Sequence, residues 1–176
     1  MSMSSAIWDQ LEQCWPITIN GQDMSYQDLR AQVADFLKGN SIAYRHFSHF
    51  GVVVPSIEQA LEDINKLANG LVESLKKDYV QTYQVFVARV IIQQIELEFI
   101  EPAGESFLAV SLKNRGTCLQ HVSFDVEDIE KALGIFRDLG VPLINEKPLC
   151  GSHGKVAFCQ PSLFEPLYLE LCQSSV

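Results

Sequence analysis

The sequence predicts an α+β fold made of two tandem β-α-β-β-β modules behind an N-terminal helical extension, and three observations predict it. The first is an internal repeat at an offset of 72 residues. His49-Phe-Gly-Val-Val-Val-Pro-Ser-Ile-Glu-Gln-Ala-Leu61 lies over His121-Val-Ser-Phe-Asp-Val-Glu-Asp-Ile-Glu-Lys-Ala-Leu133, with His, Val, Ile, Glu, Ala and Leu matching in place. The second is a change of period inside each copy, from a β-branched and aromatic run to apolar residues at helical spacing. The third is that the same offset, carried forward without a gap, lays Leu97-Glu98 over Leu169-Glu170, so the register survives across about fifty residues.

The elements follow in chain order. Residues 1 to about 44 form the extension, with a turn at Gly21 and an amphipathic helix from Ser25 to Lys38 that Ser25 caps and Gly39-Asn40 stops. The stripe of Leu29, Val33, Phe36 and Leu37 reads as packing surface, against the core or another subunit. Residues 45–176 make the second part, with modules at 45–102 and 117–174. In the first module a strand over Phe50 to Val54 precedes a helix opened by Ser56 and marked by Ile57, Leu61 and Ile64. Tyr79 to Gln93 and Ile95 to Ile100 are its remaining strand candidates. Pro102 to Arg115, ended by Gly116, reads as a linking helix. In the second module a strand over Val122 to Val126 leads to a helix opened by Glu127 or Asp128, with Ile129, Leu133 and Phe136 on its apolar face and Gly140 as its stop. Pro142 to Asn145, Lys155 to Gln160 and Pro166 to Cys172 are the closing strands.

Composition excludes several classes of function. Hydrophobic residues at 47% and charged residues at 20% belong to a globular chain rather than a disordered or fibrous one. A net charge of -9 argues against a nucleic-acid partner, and an anionic substrate would need a local basic patch. No apolar stretch reaches the roughly 20 residues needed to span a bilayer. Trp8, Asp9 and Glu12 interrupt any leader-like run, so no membrane partner is expected and the chain reads as cytoplasmic. The five cysteines form no CxxC pair and read mostly as buried thiols. Cys150, near His153, is the one that could serve as a nucleophile.

The chemistry resides in what the repeat retains. A His at the start of a module's first strand and a Glu within its last converge if those strands are neighbours, because alternate side chains share a face. Two modules then supply His49, Glu98, His121 and Glu170, a set of two imidazoles and two carboxylates with no thiolate. That suits a catalytic cobalt, zinc, manganese, nickel or iron ion better than a structural zinc. A repeat kept only for folding would preserve apolar positions and turns, whereas this one keeps polar residues that are costly to bury. Glu96 shares a face with Glu98, but the repeat places Tyr168 opposite it and so selects Glu98. His46 and His153 have no counterpart and read as loop and turn residues.

From about His46 to Gln173 the sequence resembles the vicinal oxygen chelate superfamily of glyoxalases, bleomycin resistance proteins and dioxygenases, and within it is most similar to methylmalonyl-CoA epimerases. The likeness rests on His49-Phe-Gly-Val-Val-Val54 with Ser56-Ile-Glu-Gln-Ala-Leu61, on Glu98-Phe-Ile-Glu-Pro102 and on Leu119-Gln-His-Val-Ser-Phe-Asp-Val-Glu-Asp-Ile-Glu130. It extends to Gly140-Val-Pro-Leu-Ile-Asn-Glu-Lys-Pro148, Gly151-Ser-His-Gly-Lys155 and Leu167-Tyr-Leu-Glu-Leu171. The resemblance implies a cupped mixed sheet around a divalent metal held by His49, Glu98, His121 and Glu170. It also implies epimerisation of a small-molecule acyl thioester through a metal-stabilised enolate, with Glu170 as an acid–base group, in a homodimer. Two positions depart from the pattern. Tyr79 to Val90, where a second acid–base carboxylate belongs, has no Asp or Glu, which leaves Asp78 just outside and Glu96 on the next strand. Gln120-His121 stands where His-His is common. A glyoxalase I-like lyase and a non-catalytic small-molecule-binding protein on the same fold are the competing readings.

Overall fold

A computed structural model describes residues 3–67, 72–74, 77–92, 95–151 and 154–174, with backbone alone for 3–7, 67 and 72–74. Among them the chain forms two compact units, Met1–Ile17 with His49–Gln120 and Thr18–Ser48 with His121–Val176. In chain order the elements are α1 (Met3–Cys14), β1 (Ile17–Ile19), β2 (Gln22–Met24), α2 (Tyr26–Gly39), β3 (Tyr44–Val53), α3 (Ile57–Leu67), β4 (Val72–Ser74) and β5 (Asp78–Val80). There follow β6 (Val85–Ile92), β7 (Ile95–Pro102), α4 (Phe107–Arg115), β8 (Cys118–Val126), α5 (Ile129–Asp138), β9 (Leu149–Cys150), β10 (Gly154–Phe164) and β11 (Leu167–Ser174). The fold is α+β, with parallel and antiparallel pairs in each unit.

In the first unit β7 pairs parallel with the latter part of β3 and antiparallel with β6, and β4 and β5 both lie against β6. Leu97 and Phe99 alternate with Glu98 and Ile100 along β7, so Ile95, Leu97 and Phe99 form an apolar run on one face that ends at Glu101. Ile57 and Ile64 of α3 are buried, seven residues apart on one helix face. Edge contacts bring Trp8 of α1 to Phe50 at 6.2 Å and Trp15 to Phe99 at 5.8 Å. On the opposite face Val85, Val87, Ile100 and Leu108 cluster at one end.

The second unit repeats the plan. Its strands run β8-β11-β10-β9, with β8 and β11 parallel. Asp128 caps α5 by accepting from the Lys131 amide at 3.0 Å, and Gly140, at a φ of 71°, follows the helix in the left-handed region that Gly tolerates. Ile129, Ala132, Leu133 and Phe136 are buried at helical spacing. Phe36 of α2 packs against Phe136 and Phe164, while Tyr26, Leu29, Val33 and Leu37 are all buried.

The offset of 72 extends to pairing and to helix attachment. Phe50 is partnered with Leu97 and Gly51 with Glu98; in the second unit the partners are Val122 with Leu169 and Ser123 with Glu170. The Glu101 carboxylate accepts from the Ile57 amide at 2.8 Å, and the equivalent Gln173 amide oxygen accepts from the Ile129 amide at 3.2 Å. In both units the end of the last strand thus satisfies an otherwise unpaired donor at the first turn of the helix. Helix position and strand register are tied together twice by the same device.

Several boundaries differ from the sequence reading. α1 was not anticipated, and β3 starts at Tyr44, so His46 lies in a strand rather than a loop. The stretch read as one strand from Tyr79 divides at a turn over 81–84, where Gln84 takes a φ of 51°. Of Pro142 to Asn145 only Leu143 pairs, through a lone bridge to Cys159, and the neighbouring strand is Leu149–Cys150.

Candidate metal centre

Each unit contains one buried imidazole beside one buried carboxylate. In the first, Gly51 is the parallel partner of Glu98, so His49, two residues earlier on β3, projects from the same face as Glu98. His49 is 1% exposed and Glu98 6%, and His49 Nε2 lies 3.6 Å from Glu98 Oε2. In the second, Ser123 is the partner of Glu170 and His121 lies two residues before it. His121 is fully buried, Glu170 is 5% exposed, and their Nε2 and Oε2 atoms are 3.9 Å apart. Both separations exceed a hydrogen bond. They match the roughly 3–4 Å between two ligand atoms that each sit about 2.1 Å from one cation. On donor type and spacing, each pair fits half of a mixed imidazole–carboxylate metal site.

The two pairs have different neighbours. Opposite Glu98 on β6 stands Arg89, whose Nε donates to Glu98 Oε1 at 3.2 Å and whose Nη1 donates to Glu96 Oε1 at 2.9 Å. Opposite Glu170 on β10 stands Phe158, whose ring also meets His121 edge-on at 5.3 Å. Arg89 escaped the sequence reading. The signal was available: it is the one charged residue in Val85-Phe-Val-Ala-Arg-Val-Ile-Ile92. Glu96 faces the same way as Glu98, as the two-residue spacing implied, but is engaged by Arg89. Asp78 is partnered with Val87, two residues from Arg89, which puts it on the Glu98 face as well.

The other sequence candidates are dispersed. Exposed His46 lines a groove of about 640 Å³ with Arg30, Asp35, Lys38 and Arg45. Arg45 is itself tied to buried Asp125 at 2.8 Å. His153 lies outside the described residues. Of the cysteines, only Cys159 and Cys172 are buried, whereas Cys14 and Cys150 are exposed and Cys118 is intermediate. Burial, and secondarily the charge of Glu170, push the Cys172 thiol up to about 12, and burial raises Cys159 further, so neither is a thiolate nucleophile near neutrality. No helix among the described residues is long and apolar enough to cross a membrane.

The α+β fold agrees with what comparison finds. Residues 48–158 match the Glyoxalase/Bleomycin resistance protein/Dioxygenase superfamily, and the chain belongs to that superfamily. A relative is the uncharacterized protein YqjC of Bacillus subtilis (strain 168), 31% identical over 130 residues, which span 71% of this chain and 89% of YqjC. Among solved structures, the hypothetical protein BH1468 from Bacillus halodurans C-125 superposes with a TM-score of 0.67 at 26% identity, covering 74% of this chain and 95% of its own. Methylmalonyl-CoA epimerase from Mycobacterium tuberculosis superposes with a TM-score of 0.69 at 18% identity, covering 77% and 92%, a likeness of fold.

Proposed function

We propose that the chain is a divalent-metal isomerase that epimerises an acyl thioester of the methylmalonyl-CoA kind, with His49, Glu98, His121 and Glu170 as ligands to a single ion. The observation that carries this reading is the buried His–Glu pair in each unit, at strand positions equivalent under the 72-residue offset, where folding alone favours apolar side chains. Among the described residues, His49, His121 and Glu170 are candidates for holding a metal ion, and Glu98 is added to them from the repeat. The fold likeness to a methylmalonyl-CoA epimerase supports the substrate class.

When bound, the cation supplies Lewis-acid stabilisation of the negative charge that grows on the thioester oxygen as the α-proton leaves. Cobalt, zinc, manganese, nickel and iron all accept such a donor set. In this reading the Glu170 carboxylate takes the α-proton. Its sheet neighbour is the phenyl ring of Phe158, whereas the Oε1 lone pairs of Glu98 are engaged by a guanidinium. Return of a proton to the opposite face of the planar enolate inverts the centre. That second proton is assigned to Asp78, half-buried on the Glu98 face.

Two measurements test the proposal together. The full chain purified without chelator is expected to carry about one equivalent of a transition metal. Incubated with methylmalonyl-CoA in deuterated water, it is expected to place deuterium at the α-carbon. Turnover of the methylglyoxal–glutathione adduct without α-exchange would replace the epimerase by a glyoxalase-type lyase. A metal-free chain that binds a small molecule and exchanges nothing would leave a non-catalytic binding protein.

A further inference from the structure

We propose that Arg89 is a positioning residue that gives the two carboxylates of Ile95-Glu-Leu-Glu98 different tasks, one as a metal ligand and one as a counter-ion; this rests on the metal reading above. The two glutamates are two residues apart on one face of β7, so strand geometry alone does not choose between them. Arg89 does choose. It stands directly across from Glu98, and its side chain, about four-fifths buried, divides its donors between the two acids. Glu98 gives one oxygen, Oε1, to Nε at 3.2 Å, and its other oxygen, Oε2, is the one 3.6 Å from His49 Nε2. Glu96 gives its Oε1 to Nη1 at 2.9 Å.

The arrangement has a chemical consequence. A carboxylate with one oxygen already bonded offers a cation a single oxygen in a fixed direction, and the planar guanidinium fixes that direction better than an ammonium would. Two neighbouring glutamates without a cation between them would repel, and either could swing toward a bound metal. Arg89 also explains why Glu98 and Glu170, equivalent in register, need not be equivalent in role: the second unit has Phe158 where the first has the guanidinium.

The test is metal affinity of the full chain by titration calorimetry with cobalt(II), with the cobalt absorption spectrum as a second readout. Glu98→Ala serves as the reference for the metal reading. Arg89→Met is expected to weaken cobalt binding about 10- to 100-fold, the range for loss of an outer partner of a ligand, and to shift the visible bands. Arg89→Lys, which keeps the charge but not the fork, should recover only part of the loss. Affinity in Arg89→Met should also become sensitive to Glu96→Gln, a change expected to matter less than about threefold while Arg89 is present. If Glu98→Ala loses the metal but Arg89→Met binds cobalt as tightly and with the same spectrum as the unaltered chain, the positioning role is overturned. If Glu98→Ala binds normally, the metal reading itself fails and takes the proposal with it. Circular dichroism of each folded variant separates these outcomes from unfolding.

Discussion

Glu170→Gln is expected to slow α-proton exchange by roughly 10²–10⁴-fold, the range associated with losing a general acid–base group. The substitution keeps the shape of the side chain and removes its ability to take a proton. It falls in a strand held on one side by the parallel partner Ser123 and on the other by Phe158, so the backbone has little reason to move. Exchange is read as deuterium gained at the α-carbon per unit time, with metal content measured on the same sample. A variant that keeps its metal and exchanges at the unaltered rate removes Glu170 from the proton-transfer role. A variant that loses both metal and exchange supports the ligand assignment, and titrating cobalt back in then separates the two contributions.

The second large effect is expected at His121. The imidazole is fully buried in β8, lies 3.9 Å from Glu170 and packs edge-on against Phe158. His121→Ala removes a proposed ligand outright, so metal affinity should fall by more than the 10- to 100-fold that follows from losing an outer partner alone. His121→Gln keeps a donor and much of the volume and should fall between the two. Calorimetric titration measures the affinity, and thermal melting of the metal-free forms guards against attributing a packing loss to coordination. Equal affinity in His121→Ala and the unaltered chain would remove His121 from the ligand set.

The four candidate residues were legible because they are repeated. The offset that carries His49 to His121 also carries Glu98 to Glu170, and strand periodicity then places each His and its Glu on one face. The repeat also singles out Glu98 over Glu96, and Arg89 donates to both carboxylates. What does not repeat was hidden. The 72-residue offset lays Arg89 over Pro161, whereas strand pairing makes Phe158 its counterpart, so the repeat could not reveal it. The turn at 81–84 has neither Gly nor Pro to announce it, and its positive φ falls on Gln84, so two strands read as one. The start of β3 was set too late because Arg45 and His46 are polar, although Arg45 is anchored by buried Asp125. α1 was overlooked although Ile7, Trp8, Leu11 and Trp15 recur at helical spacing, and Trp8 packs against Phe50.

The leading segment of the chain is shared out: α1 and the approach to β1 join one compact unit, while α2 joins the other. Each part of it therefore packs within a different unit. A shortened protein beginning at residue 45 would lose the indole against Phe50 in one half and the aromatic cover over Phe136 and Phe164 in the other. Both halves would then expose apolar surface at once, so removing residues 1–44 is expected to lower the solubility of what remains.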